Sequence, residues 1–538
     1  MRQPLILRDF VAASALVALL SGSAYAQTSG ETGNYAIVDV RVEIGDGRSI
    51  DKATILVKDG LIKAVGPDVK APPDAAVIKG AGLVAYPGFI DAGCPRGLKL
   101  PEWQPDQDKA PDTTSLAPAT MRDANRKWVR PELRARDCLA LTDTELDPMR
   151  RNGFCAALFA PSEGLMSGMS TVALLSGAPK RDCVVKSVFG EHFSFSPGVG
   201  AGPRGPGGGG NTYPGSLMGI IAHLRQTLVD GQRQREWKVK ADRGDASHAP
   251  ADDTLESIIA VLDGNMPVIF AADSRNEIHR ALALADEFRL KLILSGGGDA
   301  WKETKTLSAR GIPVLASLNF GDEPGVVRQG SFGGGQFPGG GGRRRPGGRP
   351  GGAPGAPPGT VTGAPTDPPA QDSATQPPAG QQPGGQPGAN RAAPPEPDDT
   401  PKAVIAEQHV KWEERASCPA KLEQAKIPFA FTSAGLRNPT DFWGNLRHAI
   451  KNGLSKQAAL KALTVDAAHI MGVDRELGTL EVGKMASIVL MSAEFTDPTS
   501  KVKYLIIDRS KFEPDADQRP APALAAPAPA DDDDRVKE

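Results

Sequence analysis

The stretch GLVAYPGFIDAG, residues 82–93, divides the sequence into two regimes. Upstream, residues 35–85 read as short strands punctuated by Gly and Asp: AIVDVRVE, a turn at Gly45-Asp46-Gly47, then ATILVKDG, LIKAVGP and AAVIKGAG. Alternating apolar side chains suit a half-buried sheet, and Gly and Asp accept the backbone conformations that tight turns require. A small antiparallel β unit is the expectation. Downstream of Pro87 the pattern lengthens into apolar strands alternating with amphipathic helices, which is how parallel βαβ units read.

That alternation is clearest over residues 254–320. TLESIIAVLDG reads as a helix ending at Gly264, MPVIFAAD as a buried strand, and SRNEIHRALALADEF as a helix capped by Ser274. LKLILSGGG, WKETKTLSARG and IPVLASLNF continue as strand, helix and strand. Earlier, GFCAALFAP (153–161) is a further strand, and YPGSLMGIIAHLRQTLVDG opens a helix near Ser216. Repeated units of this kind favour an α/β fold closed as a (β/α)8 TIM-like barrel, whose chemistry would sit at the C-terminal ends of the strands. An open doubly wound sheet is the alternative.

With 538 residues, 40% hydrophobic and 23% charged, the chain can bury more than one core. Its 62 Lys and Arg nearly balance 64 Asp and Glu, which excludes a general attraction to nucleic acid or anionic membrane. The five cysteines (Cys94, Cys138, Cys155, Cys183 and Cys418) are widely spaced, with no C-x-x-C pair, so neither a disulfide scaffold nor a thiolate zinc site is indicated. A single disulfide remains open. SEGLMSG and GPGGGGN lack the G-x-x-x-x-G-K-[ST] spacing of a phosphate loop.

Three segments stand apart from the fold. Arg2 and Arg8, the apolar run Phe10–Leu20 and Ala24-Tyr25-Ala26 read as a secretory signal peptide over residues 1–26, so the mature chain is expected to be exported, periplasmic or secreted, with no membrane span. Residues 321–400 are dominated by Gly and Pro and hold almost no large apolar side chains, which predicts a disordered insertion. Arg343-Arg344-Arg345 and Arg349 within it superficially resemble an RNA-binding arginine-glycine segment, but an exported chain favours a solvated insertion and no nucleic-acid partner. Residues 512–538 read as a disordered tail.

The opening stretch also carries a family resemblance. GLVAYPGFIDAG resembles the amidohydrolase superfamily, in which Gly-x-x-x-x-Pro-Gly-x-Ile-Asp leads from an N-terminal β-sandwich into the first barrel strand. GLSKQAALKALTVDAAHIMGV (453–473) and LGTLEVGKMASIVLM (477–491) are similar to the family's last barrel helices and returning sandwich strand. GFCAALFAPSEGLMSGMSTVALLSG (153–177) and YPGSLMGIIAHLRQTL (213–228) look like exported amidohydrolases of the imidazolonepropionase-like kind. The resemblance implies a barrel over 86–474 and a composite β-sandwich built from 35–85 and 475–510.

It also implies zinc or another divalent metal, hydrolysis of carbon–nitrogen bonds other than peptide bonds, and an Asp handling the proton. Such a site begins with His-x-His, because side chains two apart on a strand point the same way. Aligned on Ile90-Asp91, those positions are Gly93 and Pro95, and the later ligand positions fall at Ala271, Gly296 and Ser433 or Ala434. None of these can replace an imidazole, so no metal is expected. Cys94 reads as a small packed residue.

Of the seven histidines, His223, His279, His409, His448 and His469 lie in helical patterns and His248 in a polar loop, leaving His192 in a loop over the barrel mouth. Asp91, Asp273 and Asp299 are the other weak candidates, with hydrogen-bond acceptance or helix capping as their simpler roles. Two functions stay open: a hydrolase with an altered site, or a catalytically silent barrel. The silent form would bind a small molecule or pair with itself or an active homologue.

Overall fold

The computed structural model describes residues 31–101, 126–196, 214–248, 251–321, 323–324, 401–436 and 438–514. The signal-peptide reading, nearly all of the Gly/Pro-rich insertion and most of the tail lie outside them. The chain divides into one unit of residues 1–324 and 407–538 and a second of 325–406, of which only 401–406, including the start of the helix Lys402–Ala416, are described.

The upstream segment forms β1 (Glu31–Thr32), β2 (Tyr35–Glu43), β3 (Ser49–Lys58), β4 (Leu61–Gly66), β5 (Ala76–Lys79) and β6 (Val84–Pro87). The next region supplies β7 (Phe89–Cys94), β8 (Phe154–Phe159), β9 (Met166–Met169), β10 (Thr171–Leu174), β11 (Val184–Lys186) and β12 (Glu191–Ser194). It continues with β13 (Val268–Ala272), β14 (Leu292–Gly296), β15 (Val314–Ser317) and β16 (Phe429–Thr432). β17 (Ser487–Met491), β18 (Val502–Ile507) and β19 (Ser510–Phe512) close the described chain.

Both ends of the sequence share one nine-stranded sheet, ordered β1-β19-β18-β17-β6-β2-β3-β4 with β5 branching from β2. It is a single mixed sheet: β2 pairs antiparallel with β3 but parallel with β5 and β6, which corrects the purely antiparallel expectation. Its strands form one continuous hydrogen-bonded ladder, with β5 as a branch. The long β2 serves β5 with its first half and β6 with its second, so one strand carries two neighbours on the same edge. Ile37, Val42, Ile55, Ile62, Ile488 and Ile506 belong to its own apolar core.

The central region is α/β and mostly parallel. β7 pairs parallel with β8, and β12 through β16 pair parallel in sequence order. β8 is buried at every position, as expected of a strand covered on both faces. The periodicity of the intervening helices is backed by caps. Ser274 and Glu277 form a capping box at the start of Arg275–Phe288, which ends at Arg289 with φ 56°, and the Ser216 side chain caps Leu217–Asp242.

The expected closed (β/α)8 ring is not a continuous ladder. The central strands fall into a four-stranded sheet, β11-β10-β8-β7, and a six-stranded sheet, β16-β15-β14-β13-β12-β9. β9 and β10 flank Ser170 and run antiparallel to β12 and β8, so one bent segment passes from the larger sheet to the smaller. The other junction, between the edge strands β7 and β16, is held by side chains. WKETKTLSARG also departs from a single helix, splitting into a 3-10 turn at Ala300–Lys302 and the helix Thr304–Arg310.

Candidate functional site

The C-terminal ends of β12 to β16 surround a cavity of ≈ 370 Å³. Parallel pairing places the last residues of five strands around one opening, so side chains far apart in sequence converge there. Four hydroxyl side chains, Ser194, Ser295, Ser317 and Thr432, line it, with Asp273 and Glu277 at the start of the helix that follows β13.

The junction of β7 and β16 forms one wall. Thr432 Oγ1 donates to the Gly93 carbonyl at 2.7 Å and accepts from the Ala434 amide at 3.0 Å. Asp91, fully buried, accepts from the Ser433 amide at 2.8 Å, the Ser433 hydroxyl at 2.5 Å and the Gly93 amide at 3.1 Å. Burial pushes its carboxyl above the usual range, while these three donors pull the other way. Ser317 Oγ and Asn319 Nδ2 donate to the carbonyls of Ala434 and Gly435, extending the network to β15.

This arrangement bears directly on the implied metal. A Cβ built at Gly93 would lie 2.5 Å from Thr432 Oγ1, so the volume a ligand side chain would need is filled by a hydroxyl. Pro95 falls beyond the end of β7 and lines a separate small cavity of ≈ 40 Å³ with Asp91, Cys94 and Asn152. Ala271, Gly296 and Ala434 do line the mouth, but offer no donor side chain, and Ser433 is engaged by Asp91. Among the described residues no three His, Cys, Asp or Glu side chains are grouped to hold a metal ion. The residues present do not fit a divalent ion at the implied positions.

The remaining candidates are spread out. His192 lies on β12 rather than in a loop, paired across to Ile269 of β13 and Gly168 of β9. Although the residue keeps some exposure, its Nε2 is buried without a hydrogen-bond partner, and burial lowers its pKa to about 3. The ring is therefore neutral and a poor proton acceptor at neutral pH. Asp273 does reach the mouth, where Oδ1 accepts from the Gly298 amide at 2.8 Å. Asp299 accepts from the Arg275 amide, the first residue of the neighbouring helix, and pairs with Lys302 at 2.8 Å. Its role is a cap supplied from the next strand's loop.

Sequence reasoning passed over two residues. Glu191, beside His192, is fully buried; one oxygen accepts from the Gly168 amide at 3.1 Å and the other has no partner, so burial holds its pKa well above the usual range. Nothing in GEHFSFSPG distinguishes a buried Glu from an exposed one, because its neighbours in the sheet, Met169 of β9 and Val268 of β13, come from distant segments. Thr432 was equally silent within IPFAFTSAG. The five cysteines are free thiols, and burial pushes Cys94, Cys155 and Cys418 above the usual thiol range.

Residues 406–512 match the model of the Amidohydrolase family. An amidohydrolase from Thermotoga maritima superposes with a TM-score of 0.61 at 18% identity, covering 89% of this chain and 100% of its own. A Xaa-Pro dipeptidase with bound methionine aligns at a TM-score of 0.47 and 13% identity, over 89% of this chain and 100% of its own. No curated protein matches the sequence. At 18% identity the likeness to the Thermotoga maritima protein is one of fold.

Proposed function

We propose that this chain belongs to the amidohydrolase superfamily and is a small-molecule-binding protein that does not carry out metal-dependent hydrolysis. The observation that carries this reading is Thr432 Oγ1 standing in the volume that a side chain at position 93 would need. Losing one ligand could be offset by its neighbours, but glycine, alanine and serine at several positions remove the activated water and the proton carrier together. What remains at the strand ends is a cavity of mixed lining, carrying hydroxyls and two carboxylates, within the size range of small-molecule sites.

We take the strands β7 to β16, with the β9–β10 bend, as the family's barrel, and the composite sheet as the counterpart of its sandwich. Residues 1–26 are read as an export signal, which places the binding function outside the cytoplasm. A mixed oligomer with an active homologue is one setting for such a protein.

The test is metal analysis of the purified full chain by mass spectrometry alongside hydrolysis assays on a panel of amides and cyclic amides. The expected result is substoichiometric zinc, manganese and iron and no turnover. Stoichiometric metal, with turnover abolished by a chelator, overturns the reading.

A further inference from the structure

Resting on that reading of the mouth as a ligand site, we infer that its ligand is a small organic cation bearing N–H donors, a primary amine rather than an anion or a quaternary ammonium. The cavity of ≈ 370 Å³ opens to solvent at the ends of β12 to β16, with Ala271 and Asp273 exposed at its rim and Thr432 buried at its floor. Its lining holds two acidic side chains, Asp273 and Glu277, and no Lys, Arg or His. The nearby cations are engaged elsewhere: Arg275 Nε donates to Glu303 at 2.6 Å, and Lys302 pairs with Asp299 at 2.8 Å. An anionic ligand would meet the negative charge of both side chains, which opposes carboxylates and phosphates.

The free hydrogen-bonding capacity points the same way. Asp273 commits Oδ1 to the Gly298 amide, and Glu277 commits Oε2 to the amides of Asp273 and Ser274. Among the described residues Asp273 Oδ2 and Glu277 Oε1 accept no bond, and the Ser295 hydroxyl makes none. Two carboxylate oxygens and a hydroxyl are thus open acceptors at one opening. An ammonium with three N–H groups matches acceptors of this kind, and charge assistance strengthens each bond. A quaternary ammonium has no N–H to give and would need aromatic faces, of which the lining has none.

The full chain would be titrated calorimetrically with ethanolamine, choline, acetate and glycerol. Ethanolamine binding that exceeds the other three is the expected result. Asp273→Asn keeps an acceptor for the Gly298 amide while removing the charge, and should weaken ethanolamine binding about tenfold. Ala271→Trp, which fills the opening, should abolish binding, with circular dichroism checking that both variants remain folded. Acetate, choline or glycerol binding as well as ethanolamine, with the Ala271→Trp block intact, overturns the assignment of a primary amine while leaving the binding site standing. Ethanolamine binding untouched by Asp273→Asn overturns it too. If none of the four probes binds, the reading of the mouth as a binding site fails with it.

Discussion

The two buried polar regions of the central sheets are built on opposite terms. At the β7–β16 junction, Asp91 collects three donors, and Thr432 both donates and accepts. On β12, Glu191 leaves one oxygen and His192 leaves Nε2 without partners. A satisfied network strengthens the low-dielectric interior, whereas an unsatisfied group carries its full desolvation cost. The first region therefore substitutes for the missing strand ladder, and the second is a site where the fold tolerates cost.

The comparison breaks most sharply at Asp91. Asp91→Ala would strand the Ser433 amide, the Ser433 hydroxyl and the Gly93 amide in the interior, with an expected loss of about 3 kcal/mol in urea unfolding. A loss under about 1 kcal/mol would mean that water replaces the carboxyl and that the junction is not held as described. Gly93→Ala should cost about 2 kcal/mol through its contact with Thr432 Oγ1. A double-mutant cycle with Thr432→Ala should then show coupling between the two, since Thr432→Ala removes the oxygen that the added Cβ would meet. Independent, additive losses would separate position 93 from the hydroxyl that fills its space.

The β12 side makes its predictions through pH. His192 has a folded pKa depressed below 6.5 to about 3, so its contribution is present above pH 6.5 and lost as pH falls from there toward 3. His192→Gln should lessen acid destabilisation across that window by about 1–2 kcal/mol, read from denaturant midpoints at several pH values. An unchanged profile would place the acid sensitivity elsewhere. Glu191 works in the other direction: its folded pKa is raised, so its contribution is present at low pH and lost as pH rises above the ordinary value of 4.5. Glu191→Gln should gain about 1 kcal/mol over the parent at pH 9, the gap narrowing toward pH 4. A gap that stays constant with pH would show that ionisation of Glu191 is not its source.

What could be read from residues alone was local or repetitive. The apolar runs containing β8, β13, β14 and β15, and the caps at Ser216 and Ser274, follow from side-chain period and from the hydrogen bonds that short polar side chains offer a helix start. The matching ends of the chain were legible for the same reason: Pro87-Gly88 and the Gly-Lys turn before β17 are conformational signals carried by the residues themselves. The empty ligand positions at Ala271, Gly296 and Ala434 were also visible, since no neighbour can give glycine or alanine a donor atom.

Tertiary structure decided the rest, because it depends on which distant segments meet. A strand of four residues such as β9 carries no mark of its direction, so its antiparallel run beside β12 emerged only from the pairing. The burial of Glu191, the placing of His192 on a strand and the separation of Pro95 from Gly93 likewise depend on partners outside their own segments. FIDAG identified where the central sheets begin. That the space beside Gly93 belongs to a threonine hydroxyl 339 residues away is a fact of packing, and no period or spacing along the chain encodes it.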